Sequence, residues 1–349
     1  MKIGRIPQLD GLRAIAVLLV IASHAGLGKI VPGGFGVTIF FFLSGYLITT
    51  LLRVEYAETR DVNLRAFYLR RFLRIAPPLY ITLVLVNIVQ VQGLLGPSPG
   101  SSTFIWDYLM LSNYAHLWGQ EGGLKIPLWS LAVEEHFYLL FPAAFILLKK
   151  YTREKNIPIV LIAVCFLTLI VRFLTIFLQM DLERNYYWSH TRMDSILFGS
   201  ILAVWQNPLL DAQRWKPRAI HFMAAIGLLL MTFVIRDNEF RQTVRYTIQG
   251  IALFVIFSFV IDKRVGIIDK ILTSRLFRWI GDTSYTLYLG HMAILAGLYH
   301  VFGPGLLTTV IGLALSCVYA QLMRMAVEKP ILKWRRRHPA QVQSALAPI

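Results

Sequence analysis

Residues 9–26, LDGLRAIAVLLVIASHAG, set Arg13 at the start of an unbroken apolar run and His24 deep within it. Eleven helical residues at about 100° each leave the two side chains roughly 20° apart, on one face. The rise between them is about 16 Å, half of a hydrocarbon core of roughly 30 Å. The stretch reads as a membrane helix with a cation at one surface and a titratable group near the midplane. A histidine at that depth is costly to keep and marks a cavity or a proton relay. Arg13 taken alone reads either as a snorkelling anchor or as part of a site. Asp10 reads equally as a helix N-cap and as a functional group.

The rest of the chain has the same character. Its 349 residues are 56% hydrophobic and 15% charged, and the mean hydropathy is +0.58. A soluble domain carries about 25% charged residues and no repeated apolar runs of this length. The expected fold class is all-α, a polytopic integral membrane protein of about ten transmembrane helices around a central cavity. Hydropathy places the spans near 11–28, 34–52, 77–95, 127–148, 157–179, 190–206, 219–235, 243–261, 283–302 and 305–326. No cleavable signal peptide is expected, because the first apolar segment lacks a small-residue cleavage site. Cys165 and Cys317 fall inside apolar segments and read as packing residues.

The net charge of +16 raises nucleic acid as a partner, but its distribution argues against one. With the N-terminus inside, the inner segments hold 26 of the 35 Lys and Arg residues. Seven fall outside: Lys29, Lys125, Arg184, Arg192, Arg236, Arg241 and Arg245. Arg13 and Arg172 lie within spans. The positive-inside rule then expects both termini in the cytoplasm and membrane lipids as the partner of most basic residues.

Several stretches break the apolar pattern. In span two Ser44, Gly45 and Tyr46 interrupt VTIFFFLSGYLITTLL; small residues permit close packing, whereas a phenol at mid-depth needs a partner. Arg70, Arg71 and Arg74 fall on what reads as a short helix ended by Pro77 and Pro78. They suit either anionic lipid or a phosphorylated ligand, since guanidinium pairs bidentately with phosphate. The segment from Phe104 to Gln120 is too short and polar to cross and reads as an interfacial helix. Span four carries Ser130, Glu134, Glu135 and His136 in its outer half. Two adjacent carboxylates cannot both face lipid, so one of them faces a polar interior or an arginine such as Arg172. Arg192 and Asp194, two apart, are expected to pair with other spans. His291 reads either as a site residue or as a donor to a backbone carbonyl. Residues 339–349 read as a disordered cytoplasmic tail, leaving 1–338 as a single transmembrane domain.

Six blocks in order then resemble the membrane acyltransferase-3 family: LDGLRAIAVLLVIASH, FFFLSGYLI, RRFLRIAPPLY, PLWSLAVEEHFYLLFP, RMDSILFG and SYTLYLGH. The resemblance covers roughly residues 7 to 333. It implies an enzyme of the bacterial inner membrane that takes an acyl group, most simply acetyl, from cytoplasmic acyl-CoA. The acceptor it implies is a hydroxyl of a glycan, a lipid-linked sugar or a small glycosylated molecule on the outer side. His24 and Arg13 fall on the family's essential pair, and Glu134 on a family glutamate. Arg70, Arg71 and Arg74 are implied in docking the CoA phosphates, with Ser44 and Tyr46 expected beside the donor. Asp10, Ser130, Glu135, Arg192, Asp194 and His291 are expected around the acceptor. Many members append a soluble hydrolase-like domain, so any second acyl-transfer step is expected to need a separate protein.

Acyl transfer to a hydroxyl needs a general base near its own protonation range, and histidine, with an unperturbed pKa of about 6.5, fits. On this reading His24 takes the acceptor's proton or is itself acylated, Glu134 orients its imidazole, and no metal is required. The alternative from another class is a proton-coupled secondary transporter, which intramembrane His, Glu and Arg suit equally on composition. The absence of an evident internal repeat weighs against it.

Overall fold

The computed structural model describes residues 6–96, 101–118, 126–262 and 266–337. Among them there is no strand, and ten long helices form the body. They are α1 (Pro7–Ala22), α2 (Gly33–Thr59), α3 (Leu64–Val91), α4 (Leu128–Tyr151), α5 (Ile157–Phe177), α6 (Ser189–Trp205), α7 (Ala219–Val234), α8 (Val244–Ile261), α9 (Arg275–Phe302) and α10 (Leu306–Met323). Every expected span has a helix at its place. Among the described residues, however, seven helices are long and apolar enough to cross a membrane, not ten. The helices α6 and α7 have 17 and 16 residues. Helix α9 has 28 residues but dilutes its apolar character with a buried polar face of Thr283, Ser284, Thr286 and His291. Large apolar side chains cover the exterior of α3, α5, α7 and α10, as a surface facing hydrocarbon requires. The expected tail at 339–349 lies outside the described residues.

Two close helix crossings hold the site in place. Helix α6 is buried along most of its length and lies against α2 through facing glycines. A Cβ on Gly45 would stand 1.9 Å from the Ile196 carbonyl oxygen, and one on Gly199 would stand 2.0 Å from that of Phe42. Helix α1 meets α9 in the same way, since a Cβ on Gly281 would stand 2.0 Å from the Asp10 carbonyl oxygen. Lipid tails are as apolar as leucine, so helices in a membrane associate through such close packing rather than by escaping water. Gly199→Ala is accordingly expected to cost about 1–3 kcal/mol through overpacking, read as a lowered unfolding midpoint in detergent. Gly227→Ala, where the added carbon meets nothing within 4 Å, is the control and should leave the midpoint nearly unchanged.

Three local expectations are corrected. Helix α1 starts at Pro7, with proline at its first position, where its missing N–H costs nothing. Asp10 is therefore not the N-cap but a first-turn acid, favourably placed near the positive end of the helix dipole. Helix α3 does not end at Pro77 and Pro78 but runs through them. The Tyr285 hydroxyl of α9 donates to the Ile75 carbonyl just before them, at 3.0 Å, and ties this part of α3 to α9. Finally, α1 ends in a π-helical turn, Ser23–Leu27, in which Gly26 takes φ 98°, a conformation that glycine adopts without strain.

Candidate active site

That π turn decides the position of His24. Counting from Pro7, His24 lies about 26 Å along the helix and Arg13 only about 9 Å. Arg13 is half-buried within the bundle, while His24 is exposed in the last turn. Its Nδ1 lies 2.9 Å from Nε2 of His291, and the two rings stack with centroids 5.2 Å apart and planes 13° apart.

The tautomers follow from the partners. His291 Nδ1 lies 3.0 Å from the Leu287 carbonyl oxygen and 2.9 Å from that of Tyr288. Carbonyl oxygens accept and never donate, so Nδ1 carries the proton and a neutral His291 accepts at Nε2. The proton between the rings then belongs to His24 Nδ1, which leaves the lone pair of His24 on Nε2. The orienting partner of His24 is therefore His291. Glu134, expected in that role, is engaged elsewhere. His291 is fully buried with both nitrogens occupied, so it is a positioning residue for His24 rather than a contact for an acceptor.

Toward the middle of the bundle, α1, α2, α3, α4 and α9 enclose a cavity with about 860 Å³ of atom-free space, part of it open. On α4, Ser130, Glu134 and Tyr138 follow at steps of four and share one face. The Tyr138 hydroxyl donates to Glu134 Oε2 at 2.9 Å and lies 2.8 Å from Ser44 Oγ. A phenol has one proton, so Ser44 donates to the phenol oxygen. Ser130 Oγ is hydrogen-bonded to the Tyr288 hydroxyl. Glu135, Arg13, Arg71 and Arg74 complete the polar lining, with the Arg71 guanidinium 5.3 Å from the centre of the Tyr138 ring.

A second cavity, with about 1050 Å³ of space partly open to solvent, lies between α1, the middle of α3, the first turns of α9 and residues 324–335. It shares Arg13 and Arg74 with the first and adds Arg324, Lys329 and Arg335, against Asp282 and Glu328. Arg324 holds Asp282 at 2.8 Å, and Arg13 lies 3.4 Å from Asp10. Arg13 and Arg74 thus line both the first cavity and this second one, which forms its vestibule.

Other expected site residues line neither cavity. Arg70 turns to Glu55, at 3.1 Å, and is partly exposed. Tyr46 is fully buried and donates to Asn207 Oδ1 at 2.9 Å; two residues beyond Ser44 on a helix, it faces about 200° away. Asp194 accepts both guanidinium nitrogens of Arg172, at 2.9 and 2.6 Å, with neither side chain exposed. Arg172 thus belongs to Asp194 and not to a glutamate of α4. Arg192 donates to Thr38 Oγ1 at 3.1 Å and stacks 3.8 Å from the Tyr246 ring centre. Asp10 is buried beside Arg13 but does not line the cavity. Conversely, sequence reasoning did not assign Tyr138, Ser284, Tyr285 and Tyr288 to the cavity. The available signal was the spacing of Ser284, Tyr288 and His291, which puts hydroxyls and imidazole on one stripe of α9.

Residues 6–325 match the family model described as an acyltransferase domain, and the chain belongs to that acyltransferase-3 family. It is 30% identical to "Peptidoglycan O-acetyltransferase OatA" of Listeria monocytogenes, over 94% of this chain and 56% of that protein. It is likewise 30% identical to "Putative O-acetyltransferase SACOL0978" of Staphylococcus aureus, over 95% of this chain and 58% of that protein. The chain thus spans little more than half the length of these curated relatives. No solved structure matches it.

Proposed function

We propose that the protein is a membrane O-acyltransferase that carries an acyl group, most simply acetyl, from acyl-CoA to a hydroxyl of a glycan acceptor. The observation that carries this reading is the pair of adjoining cavities that share Arg13 and Arg74. Their arginines suit the phosphates of a nucleotide-bearing donor, and family membership supplies the acyl chemistry. The peptidoglycan acetyltransferase among the relatives favours a glycan acceptor. Family membership also displaces the transporter alternative.

In this mechanism the vestibule faces the cytoplasm of a bacterial cell, as the excess of inner Lys and Arg favours. The donor's phosphates lie against Arg74, Arg324, Lys329 and Arg335, and its thioester points toward the Glu134–Tyr138–Ser44 chain. Helix α9 joins the cavity to the histidines, because Tyr288 lines the cavity with its hydroxyl and holds His291 with its carbonyl. At the opposite face His24 Nε2 takes the proton of the acceptor hydroxyl as that oxygen bonds to the acyl carbon. The carbon–sulfur bond breaks, CoA leaves as the thiolate and takes a proton from water, and His24 gives the hydroxyl proton back to water. If His24 is acylated first, the same nitrogen forms and later releases the acyl bond, and His291 holds the ring in either route.

The direct test incubates purified protein with labelled acetyl-CoA and a peptidoglycan oligosaccharide and looks for an acetyl ester by mass spectrometry. No ester with folded protein contradicts the proposal. The arginines give a sharper contrast. Arg71→Gln with Arg74→Gln is expected to weaken CoA binding by about tenfold or more, in a salt-sensitive way, because hydrogen bonds to charged groups are worth about 1.5–3 kcal/mol. Arg70→Gln is expected to leave the affinity unchanged. Equal effects at Arg70 and Arg74, measured by calorimetry, would return the whole cluster to lipid anchoring.

A further inference from the structure

Positive residues are scarce in outer segments of membrane proteins, so the place where this chain keeps them is informative. Of the seven cations that the charge count puts outside, four (Lys29, Arg236, Arg241 and Arg245) line one cavity at the His24 end of the bundle. With the solvent at its open mouth it comprises about 920 Å³ of atom-free space, and no Asp or Glu is among its lining residues. None of the four is ion-paired among the described residues. The nearest acids in sequence, Asp237 and Glu239, do not line it, and Asp237 is turned to the backbone amide of Phe240.

A fifth outer cation stands behind the wall. Arg192 is fully buried, with Nε and Nη1 unpartnered among the described residues. Its guanidinium stacks 3.8 Å from the ring centre of Tyr246 and 5.5 Å from that of Tyr186, and both rings line the cavity. The nearby carboxylate of Asp194 acts on this guanidinium but is itself bound by Arg172, so the two arginines share one negative charge and a net positive field reaches the cavity wall. Arg245 also has an unpartnered buried Nε. The cavity is therefore positive from its rim to its back wall. It also touches the catalytic turn, since Ser23, next to His24, is part of its lining.

We propose that this cavity binds an oxyanion carried by the acyl acceptor, a carboxylate or a phosphate on the glycan or its lipid-linked precursor. It thereby selects anionic over neutral acceptors and sets their hydroxyl beside His24. The inference rests on the acyl-transfer reading above. Arginine forks match both oxyanions, and the open rim lets the remainder of a long acceptor extend outward.

The test compares kcat/KM for three acceptors of equal length, one neutral, one carrying a carboxylate and one carrying a phosphate. It is made with the wild type and with the double variant Arg236→Gln, Arg241→Gln, while binding of glucuronate and inorganic pyrophosphate to both proteins is measured by calorimetry. The wild type is expected to prefer an anionic acceptor by about tenfold or more, with the preference falling as salt rises. The double variant is expected to lose that preference and to bind both small anions more weakly. The anion preferred identifies its source as sugar carboxylate or phosphate. A wild type indifferent to acceptor charge, or a folded double variant that keeps the preference, overturns the inference. If no acceptor is acylated, the acyl-transfer reading fails. Anion binding that is lost in the double variant still supports the cavity as an oxyanion site, and a wild type that binds neither anion overturns it.

Discussion

His24→Ala is expected to lower acyl transfer by about 10²–10⁴-fold, the usual contribution of a positioned general base, with expression and unfolding midpoint close to wild type. The side chain is exposed in a terminal π turn, so its removal opens no cavity in the core. If the acyl group rests on His24, the loss is larger still. The companion variant His291→Phe removes the acceptor for His24 Nδ1–H and frees the ring to rotate. Its rate should fall through kcat with little change in KM for the donor, because His291 meets neither arginine cluster. Rescue of most of the rate by His291→Asn, which restores a side-chain acceptor, would separate orientation from a loss of packing. Normal turnover in folded His24→Ala would remove the histidine from the mechanism.

Asp194→Ala should act on the fold instead. Its carboxylate accepts a bidentate pair from Arg172 and a third bond from Thr247, at 3.1 Å, with no exposure of either charged side chain. Breaking a buried ion pair from one side leaves the other charge unsatisfied and costs about 3–5 kcal/mol. Loss of folded protein, or a steep fall in its unfolding midpoint in detergent, is the expected result. Replacing both members with apolar residues of similar volume, Arg172→Met with Asp194→Leu, should recover much of that loss. The pair locks α5 to α6, and α6 is the buried helix against which α2 presents Ser44 to the cavity. An Asp194→Ala protein of unchanged stability that fails to use acceptor would place Asp194 in the site.

The helices were legible because membrane spans advertise themselves as long apolar runs, and the runs at 34–52 and 157–179 reappear as α2 and α5. Helix α9 was legible in place but not in length, since its first eight residues carry Arg275, Arg278 and Asp282 and fall outside any apolar window. The arginines show where phase runs out. Arg74 lies about 40° from Arg70 and about 60° from Arg71 around the helix, so either could share its face. Capture of Arg70 by Glu55 settles the choice and leaves Arg71 to the cavity. The exposure of His24 was not legible, because the π turn that closes α1 at Ser23–Leu27 leaves no mark in the hydropathy pattern. No spacing rule could join His24 to His291, since 267 positions separate them and the contact exists only once α1 and α9 pack.

The measurement closest to the centre of the account is acyl transfer across a sealed bilayer. The protein is reconstituted in proteoliposomes with an oligosaccharide acceptor inside and labelled acetyl-CoA outside, and the trapped acceptor is analysed by mass spectrometry. The expected result is labelled acetyl ester on the enclosed acceptor, absent with His24→Ala. Ester that forms only when donor and acceptor share a compartment would contradict the account.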